Sequence, residues 1–167
     1  MKQVFKCEYC DFIGNEKDVR VHELTCPNKC TGYERVEFNR DYYTHLSDGT
    51  IYCQSEKEDG CDDRTYNVAN YYSSKKVAED NARADVLMRQ LRRFAVKHRT
   101  NELDWNGERC KYTIHYEYGS AKLSYCWGLT SRNFGCIWFD SFDAVNLAIE
   151  TFYDELIWYF TTYKDSI

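Results

Sequence analysis

The first thirty residues contain the pattern that most constrains how this chain can fold. Cys7 and Cys10 are separated by two residues, and eleven further residues lead to His22, with Cys26 four positions beyond it. A two-residue gap lets both thiolates of a tight turn face one ion, and a histidine and a cysteine four apart lie on one face of a helix. The spacing therefore predicts a metal site with these four ligands and Zn²⁺ as the metal. Cys30, one helical step beyond Cys26, is an alternative ligand.

The segment around these ligands is too short to fold by apolar burial alone. About twenty-five residues cannot bury enough apolar surface to offset their conformational entropy, whereas bound zinc can supply on the order of 10 kcal/mol. Asn15 has the character of a helix N-cap and precedes the short helix "EKDVRVHEL". The stretch resembles ββα zinc fingers of the C2HC kind. We therefore predict a zinc-finger module over residues 1–32, with one structural ion.

The chain has nine cysteines, and whether they form disulfides or bind metal depends on the cellular compartment. No run approaches the roughly 18 apolar residues of a membrane helix, and the N-terminus lacks the apolar segment of a signal peptide. These features predict a soluble cytoplasmic protein, and in a reducing cytosol closely spaced cysteines are more often metal ligands than disulfide partners. His45, Cys53 and Cys61 are an open second metal site, although their spacing is not specific.

The pattern of residues 33–167 predicts one α+β domain, in which an antiparallel sheet packs with two main helices. Short alternating runs over 33–68, among them "YERVEF" and "RTYNV", predict strands, and Asp48-Gly49 is a strong hairpin turn. Apolar residues at helical spacing then predict a long helix over 74–99. The rest of the domain is predicted as a three-stranded antiparallel sheet over 110–139 and a C-terminal helix or helix pair over 141–162.

Charge is distributed unevenly along the chain. The net charge is −5, yet the segment from Lys75 to Arg99 contains eight Lys and Arg residues against three acids. Arg89, Arg92 and Arg93 follow one side of the predicted long helix. A basic stripe on an acidic protein is typical of charged-surface recognition, and the alternative interpretation is a solvated helix face balanced by the acidic loops.

No catalytic pattern is complete in this sequence. The "HELTC" segment lacks the second histidine of the metalloprotease motif H-E-x-x-H, and four protein ligands would leave zinc no position for a catalytic water. Neither a G-x-S-x-G elbow nor a P-loop occurs. We therefore predict that the chain is not an enzyme and acts by binding a partner.

Three stretches of the chain carry a resemblance to known proteins. They are "YYSSKKVAEDNARADVLMRQLRRFA", "LDWNGERCKYTIHYEY" and "GCIWFDSFDAVNLAIETFYDELIWYF". Over roughly residues 71–160 they resemble small proteins of phages and mobile elements of Gram-positive bacteria. A zinc module joined to such a domain is similar to phage-encoded anti-CRISPR proteins that act on type II-A Cas9, specifically a zinc-containing member of that group.

This resemblance implies a stoichiometric inhibitor in the host bacterial cytosol that binds Cas9, or another bacterial defence protein, and blocks the loading or cleavage of target DNA. We expect a monomer. Many Cas9 inhibitors act through acidic surfaces that imitate DNA, and the candidate acids for such a surface here are Glu56, Glu58, Asp59, Asp62 and Asp63. The alternative is a zinc-finger nucleic-acid-binding protein that uses the basic helix over 83–99, including Arg89, Arg92 and Arg93.

Overall fold

The structure, a computed structural model, describes residues 4–7, 10–26 and 29–163. Across these residues it contains five α-helices and three two-stranded antiparallel sheets, so the predicted α+β class is confirmed. The chain divides into two compact units. The first comprises the residues up to His45 together with Ile51–Ala78, and the second comprises Leu46–Thr50 together with the chain from Glu79 onward.

The first unit begins with a ββα finger. Strands β1 (Phe5–Lys6) and β2 (Ile13–Gly14) pair antiparallel, and helix α1 (Glu16–Thr25) follows them. Asn15 caps this helix as predicted, because its side chain accepts a hydrogen bond from the amide of Asp18 at 3.0 Å. The predicted short helix of the finger is therefore confirmed.

A hairpin and a helix complete the first unit. Strands β3 (Asp41–His45) and β4 (Ile51–Ser55) pair antiparallel on either side of the predicted Asp48-Gly49 turn. Gly49 has φ +91°, a conformation that favours glycine, and the Asp48 carboxylate accepts a hydrogen bond from the amide of Thr50 at 2.9 Å.

The strand predicted at "RTYNV" is wrong, since helix α2 spans Gly60–Asn67. The Asp59 carboxylate accepts hydrogen bonds from the amides of Cys61 and Asp62, and the Asp62 carboxylate accepts one from the Asp59 amide. This reciprocal capping box begins a helix inside an acidic stretch of the chain. The capping signal lies in "EDGCDD", where Asp takes the position that Glu or Gln occupies in the usual pattern.

The strand predicted at "YERVEF" is also wrong, because residues 33–38 form no strand. The amide of Val36 donates to the hydroxyl of Tyr71 at 3.2 Å, and Arg35 is held by carboxylates of the same unit. Side-chain hydrogen bonds thus take the place of a strand partner in this segment.

The second unit contains most of helix α3 (Lys75–Lys97), the hairpin of β5 (Lys111–Glu117) and β6 (Lys122–Gly128), and helices α4 (Phe142–Thr151) and α5 (Tyr153–Thr161). The C-terminal segment, predicted as a helix or helix pair, is a pair whose two helices are separated at Phe152. No described helix is both long enough and apolar enough to cross a membrane.

The predicted three-stranded sheet over 110–139 is wrong in its third strand. Only Phe139 of the last run pairs, through two backbone hydrogen bonds of 2.8 and 2.9 Å with Tyr112. Ser141 then caps α4, which ends the extended segment after this single bridge. The sheet of the second unit is therefore a two-stranded hairpin.

The core of the second unit joins α3, the hairpin and the last two helices. Leu87 and Leu91 of α3 are buried with Tyr116, Leu123 and Val145. Small alanines of α4 let this helix lie close against the hairpin. The amphipathic pattern predicted for α3 is thus used to form this core.

Truncating the centre of this core should destabilise the second unit. Leu91 is 4% exposed, and Leu91→Ala removes buried methyl groups and leaves a cavity. We expect a loss of about 2–5 kcal/mol in the free energy of unfolding, measured by urea denaturation. The control is Val96→Ala on the same helix, where the side chain is 64% exposed and the expected change is within about 0.5 kcal/mol. Equal effects of the two variants would contradict the assignment of Leu91 to the core.

Candidate metal centre

The four predicted ligands of the finger converge on one point. One potential ligand atom each from Cys7, Cys10, His22 and Cys26 lies within 4.8 Å of all the others. The Sγ atoms of Cys7 and Cys26 are 3.9 Å apart, and Cys10 Sγ is 3.1 Å from Nε2 of His22. Four ligands at zinc–ligand bond lengths of about 2.0–2.3 Å in a tetrahedron lie about 3.3–3.8 Å from one another. The spacing of the cluster therefore suits a tetrahedral metal ion.

Three of the ligands lie at or near the end of a regular element, and Cys10 lies in the turn between β1 and β2. Cys7 directly follows β1, and its amide donates to the carbonyl of Phe12 at 2.9 Å, which closes the turn that contains Cys10. His22 lies on α1, whereas Cys26 is the C-cap residue with extended backbone rather than a helical residue. The prediction that both lie on one helix face is corrected in this respect. Pro27 explains the difference, because a residue that precedes proline is disfavoured in helical conformation.

Contacts around the ligands fix their orientation. The ring of Phe12 stacks on the imidazole of His22, with centroids 4.3 Å apart and an interplanar angle of 16°. The amide of Phe12 donates to Cys10 Sγ at 3.4 Å. Cys7 and Cys26 are buried with Val19, so the ligands themselves form much of the small core of the finger. Backbone donors and a stacked ring are the supporting contacts expected around a metal site.

The crowding of the thiols affects their protonation. The amide of Phe12 lowers the pKa of the Cys10 thiol, but burial and the neighbouring thiols of Cys26 and Cys7 outweigh it, so the pKa is raised above its usual value. Several sulfurs so close together resist ionisation because their negative charges repel. A bound cation would offset this repulsion directly.

The alternative ligand Cys30 lies elsewhere. It is exposed, its thiol donates to Glu34 at 3.2 Å, and it lies 3.5 Å from the hydroxyl of Ser73. Among the described residues the only convergent metal-ligating group is the one formed by Cys7, Cys10, His22 and Cys26. Cys30 is therefore not part of this cluster.

The open second site is not assembled either. Cys53 is exposed on β4 opposite Tyr43, and Cys61 lies on α2 with its sulfur 3.1 Å from the guanidinium of Arg64. His45 ends β3 and stacks on the ring of Tyr72. These three residues form no metal cluster in the part of the chain that the structure describes.

Two of the acids predicted to face a partner are buried. Glu56 is 0% exposed and accepts hydrogen bonds from the Arg35 guanidinium at 3.0 and 3.2 Å and from the Tyr71 hydroxyl at 2.7 Å. Asp62 is buried as well, and it accepts hydrogen bonds from the Tyr42 hydroxyl and the amide of Lys57, both at 2.7 Å. These carboxylates stabilise the first unit internally and cannot offer an acidic surface.

The other three candidate acids are exposed near the start of α2. Asp63 forms an ion pair with Arg35 at 2.7 Å, and Asp59 caps the helix. Glu58 has φ +55° and is exposed. An acidic surface in this region would consist of Glu58, Asp59 and Asp63.

The three candidate arginines of α3 have different surroundings. Arg89 donates to the carbonyl of Ser47 at 2.6 Å and lies 3.9 Å from the carboxylate of Asp85. Arg92 and Arg93 are exposed, and no side-chain hydrogen bond or ion pair involves them within the described residues. Arg89 is therefore partly used within the second unit, whereas its two neighbours are not.

Sequence reasoning missed one arrangement of basic residues in the second unit. Arg92, Arg99 and Arg132 line the same hollow, together with Trp105. Helical spacing could connect the first two residues, but Arg132 lies in the loop after β6, and no pattern in the sequence relates it to α3. Only the fold brings these three residues to one hollow.

The buried carboxylates should make the stability of the first unit depend on acid pH. The Arg35 guanidinium, despite burial, holds the pKa of Glu56 below its usual range, and hydrogen bonds from Tyr42 and two amides outweigh burial and lower the pKa of Asp62 to about 2. Groups with a lowered pKa in the folded state stabilise the protein above their unfolded pKa of about 4, and this stability is lost as the pH falls towards 2. We expect the unfolding free energy to fall over this range.

The variant Glu56→Gln should remove part of that dependence. It should also cost about 2 kcal/mol at neutral pH, less than for a fully buried pair because Arg35 is partly exposed. Urea denaturation between pH 2 and 7 measures both effects, and Glu108→Gln, an exposed acid of the second unit, is the control. An unchanged pH profile in Glu56→Gln would contradict the lowered pKa of this carboxylate, because it would show the same pKa in the folded and unfolded protein.

No protein-family model, curated protein or solved structure matches this chain. The resemblance to anti-CRISPR proteins therefore stays a prediction, and functional proposals for this chain rest on its own residues.

Proposed function

We propose that the N-terminal cluster binds one structural Zn²⁺ ion. Three thiolates and one imidazole are ligands that zinc prefers, and their mutual distances suit a tetrahedron. All four positions would then be filled by protein, which leaves none for a catalytic water. This closed set of four ligands is the observation that carries a stabilising rather than a catalytic role for the metal.

Metal analysis of the purified protein tests this proposal. We expect one zinc ion per chain, and a loss of most of it in Cys10→Ser, because a serine hydroxyl is a poor zinc ligand. Removal of zinc by a chelator should also unfold the finger, as followed by NMR of its amides.

The matched control is Cys30→Ser, which changes the exposed thiol outside the cluster and should keep its zinc. A folded finger that contains no metal would refute the proposal. Zinc retained in Cys10→Ser but lost in Cys30→Ser would show that the ligand set is wrong.

We further propose that the protein acts as a stoichiometric inhibitor that binds a Cas9-type nuclease of a bacterial defence system. The resemblance over residues 71–160 supports this choice of partner. The closed metal centre supports a binding role for the finger. Of the candidate acids, Glu58, Asp59 and Asp63 remain exposed for an interaction with a surface that normally holds DNA.

A cleavage assay with purified Cas9 and guide RNA tests this partner. Target cleavage should fall in proportion to added protein and stop near equimolar amounts, and the protein should co-purify with the complex. Glu58→Lys should weaken inhibition by about threefold to tenfold through charge reversal, whereas Glu108→Lys in the second unit should not. Absence of both association and inhibition would refute the proposal.

Nucleic-acid binding through α3 is the second candidate function. It is favoured by the exposure of Arg92 and Arg93 and by the lack of carboxylate partners for them within the described residues. Retention of DNA or RNA that weakens as salt concentration rises is the behaviour that this candidate requires.

A further inference from the structure

Two adjoining hollows lie on the second unit, between the end of α3 and the loop that follows β6. Their volumes are about 400 Å³ and about 510 Å³, and both are lined by Arg92, Arg132 and Cys136. Arg99 and Trp105 line the first hollow, and Phe134 lines the second. Ligand sites in proteins typically have volumes of about 300–1,000 Å³. We call these two adjoining hollows the arginine hollow.

The arginines of this hollow differ from Arg83 of α3 by having no side-chain partner among the described residues. Arg83 makes a two-point ion pair with Glu155 at 2.8 and 3.0 Å. In contrast, the guanidinium groups of Arg92, Arg99 and Arg132 have no side-chain hydrogen bond or ion pair among residues that the structure describes.

The charge of the hollow is unbalanced. No described lining residue of either part carries a carboxylate. Guanidinium groups that line one hollow repel one another, and no carboxylate among the described lining residues offsets this repulsion. The arrangement is therefore suited to an anion with several negative charges, since planar guanidinium groups bind phosphate oxygens at two points.

Aromatic rings lie beside these charges. Trp105 lines the first hollow and packs edge-on against Trp138, with centroids 5.2 Å apart. Phe134 is fully exposed, and it precedes Gly135, whose φ of +77° fits the tight turn that holds this loop. An apolar ring left entirely in solvent is a surface on which a flat ligand group can stack.

We propose that the arginine hollow binds single-stranded nucleic acid, with the three arginines on successive phosphates and with Phe134 and Trp105 stacked on bases. This inference deepens the second candidate function and rests on it, and it is independent of the Cas9 partner. Stacking on a protein ring requires a base that is free of its own helix, so the site selects single strands over duplex.

The experiment uses the full-length zinc-loaded protein and fluorescence anisotropy. The probes are a labelled mixed-sequence DNA strand of about 12 nucleotides and the corresponding duplex, at about 50 mM salt. We expect tighter binding of the single strand, and about tenfold weaker binding in Arg92→Ala, Arg132→Ala and Phe134→Ala. Phe134 and Arg132 are exposed loop residues, so unchanged melting temperatures should show that these variants fold.

Arg93→Ala is the matched control. Arg93 is adjacent to Arg92 on α3 and also exposed, but it does not line the hollow, so its loss should weaken binding less than threefold. Phe134→Ala should leave the binding of inorganic polyphosphate unchanged, because polyphosphate has no bases to stack.

The outcomes separate this inference from the function on which it rests. If the wild-type protein binds neither probe, both nucleic-acid binding and the hollow are overturned. If Arg93→Ala weakens binding as much as Arg92→Ala, or if the duplex binds as well as the single strand, the helix still binds nucleic acid but the proposed site is wrong. Selective loss in the three hollow variants supports it.

Discussion

The buried carboxylate of Glu56 is the interaction on which the first unit depends most directly. Its oxygens accept hydrogen bonds from Arg35, from the Tyr71 hydroxyl and from the amide of Glu58. An ionised carboxylate is costly to bury unless such donors surround it, so the segments that carry them must come together when the unit folds. Tyr42 stacks on Tyr71 at 4.0 Å and extends the network to Asp62. Side-chain hydrogen bonds, together with the backbone bridge between Tyr43 and Tyr72, therefore organise the chain around the β3–β4 hairpin.

The finger is stabilised differently, because its metal ligands also form much of its core. Cys7 and Cys26 are buried with Val19, whereas other apolar side chains of this short segment, among them Ile13 and Val21, are exposed. The neighbouring thiols raise the pKa of Cys10, and this disfavours the thiolate form that binds metal. Binding of a cation would remove that opposition and supply the stabilisation that a small apolar core cannot. Metal binding and folding of the finger are in this view one event.

The arginines of the chain divide into two groups with different physical roles. Arg35 and Arg83 make two-point ion pairs with carboxylates of their own units, and Arg83 also lies 3.9 Å from the ring centre of Trp158. Arg92, Arg99 and Arg132 have no such partners among the described residues. An arginine paired with a carboxylate stabilises the fold, whereas arginines that line one hollow without a carboxylate are suited to bind an anionic ligand. Glu56 and Asp62 are likewise hydrogen-bonded within the first unit and cannot form an acidic binding surface, whereas Glu58 is exposed and can.

The features that depend on local spacing could be predicted from the order of the residues alone. The positions of Cys7, Cys10, His22 and Cys26, the Asn15 cap, the Asp48-Gly49 turn and the amphipathic α3 follow from backbone geometry over a few residues, and all are present in the structure. The helix at Gly60–Asn67 escaped prediction because its capping box uses two aspartates in an acidic run. Which charged side chains are buried, and which line the same hollow, depends instead on how the folded chain packs. Burial of Glu56 requires Arg35 and Tyr71 from either side of it in the chain, and the hollow requires Arg132 beside Arg92, forty residues earlier. Such long-range contacts produce no periodic pattern in a single sequence, because they depend on how the helices and strands pack.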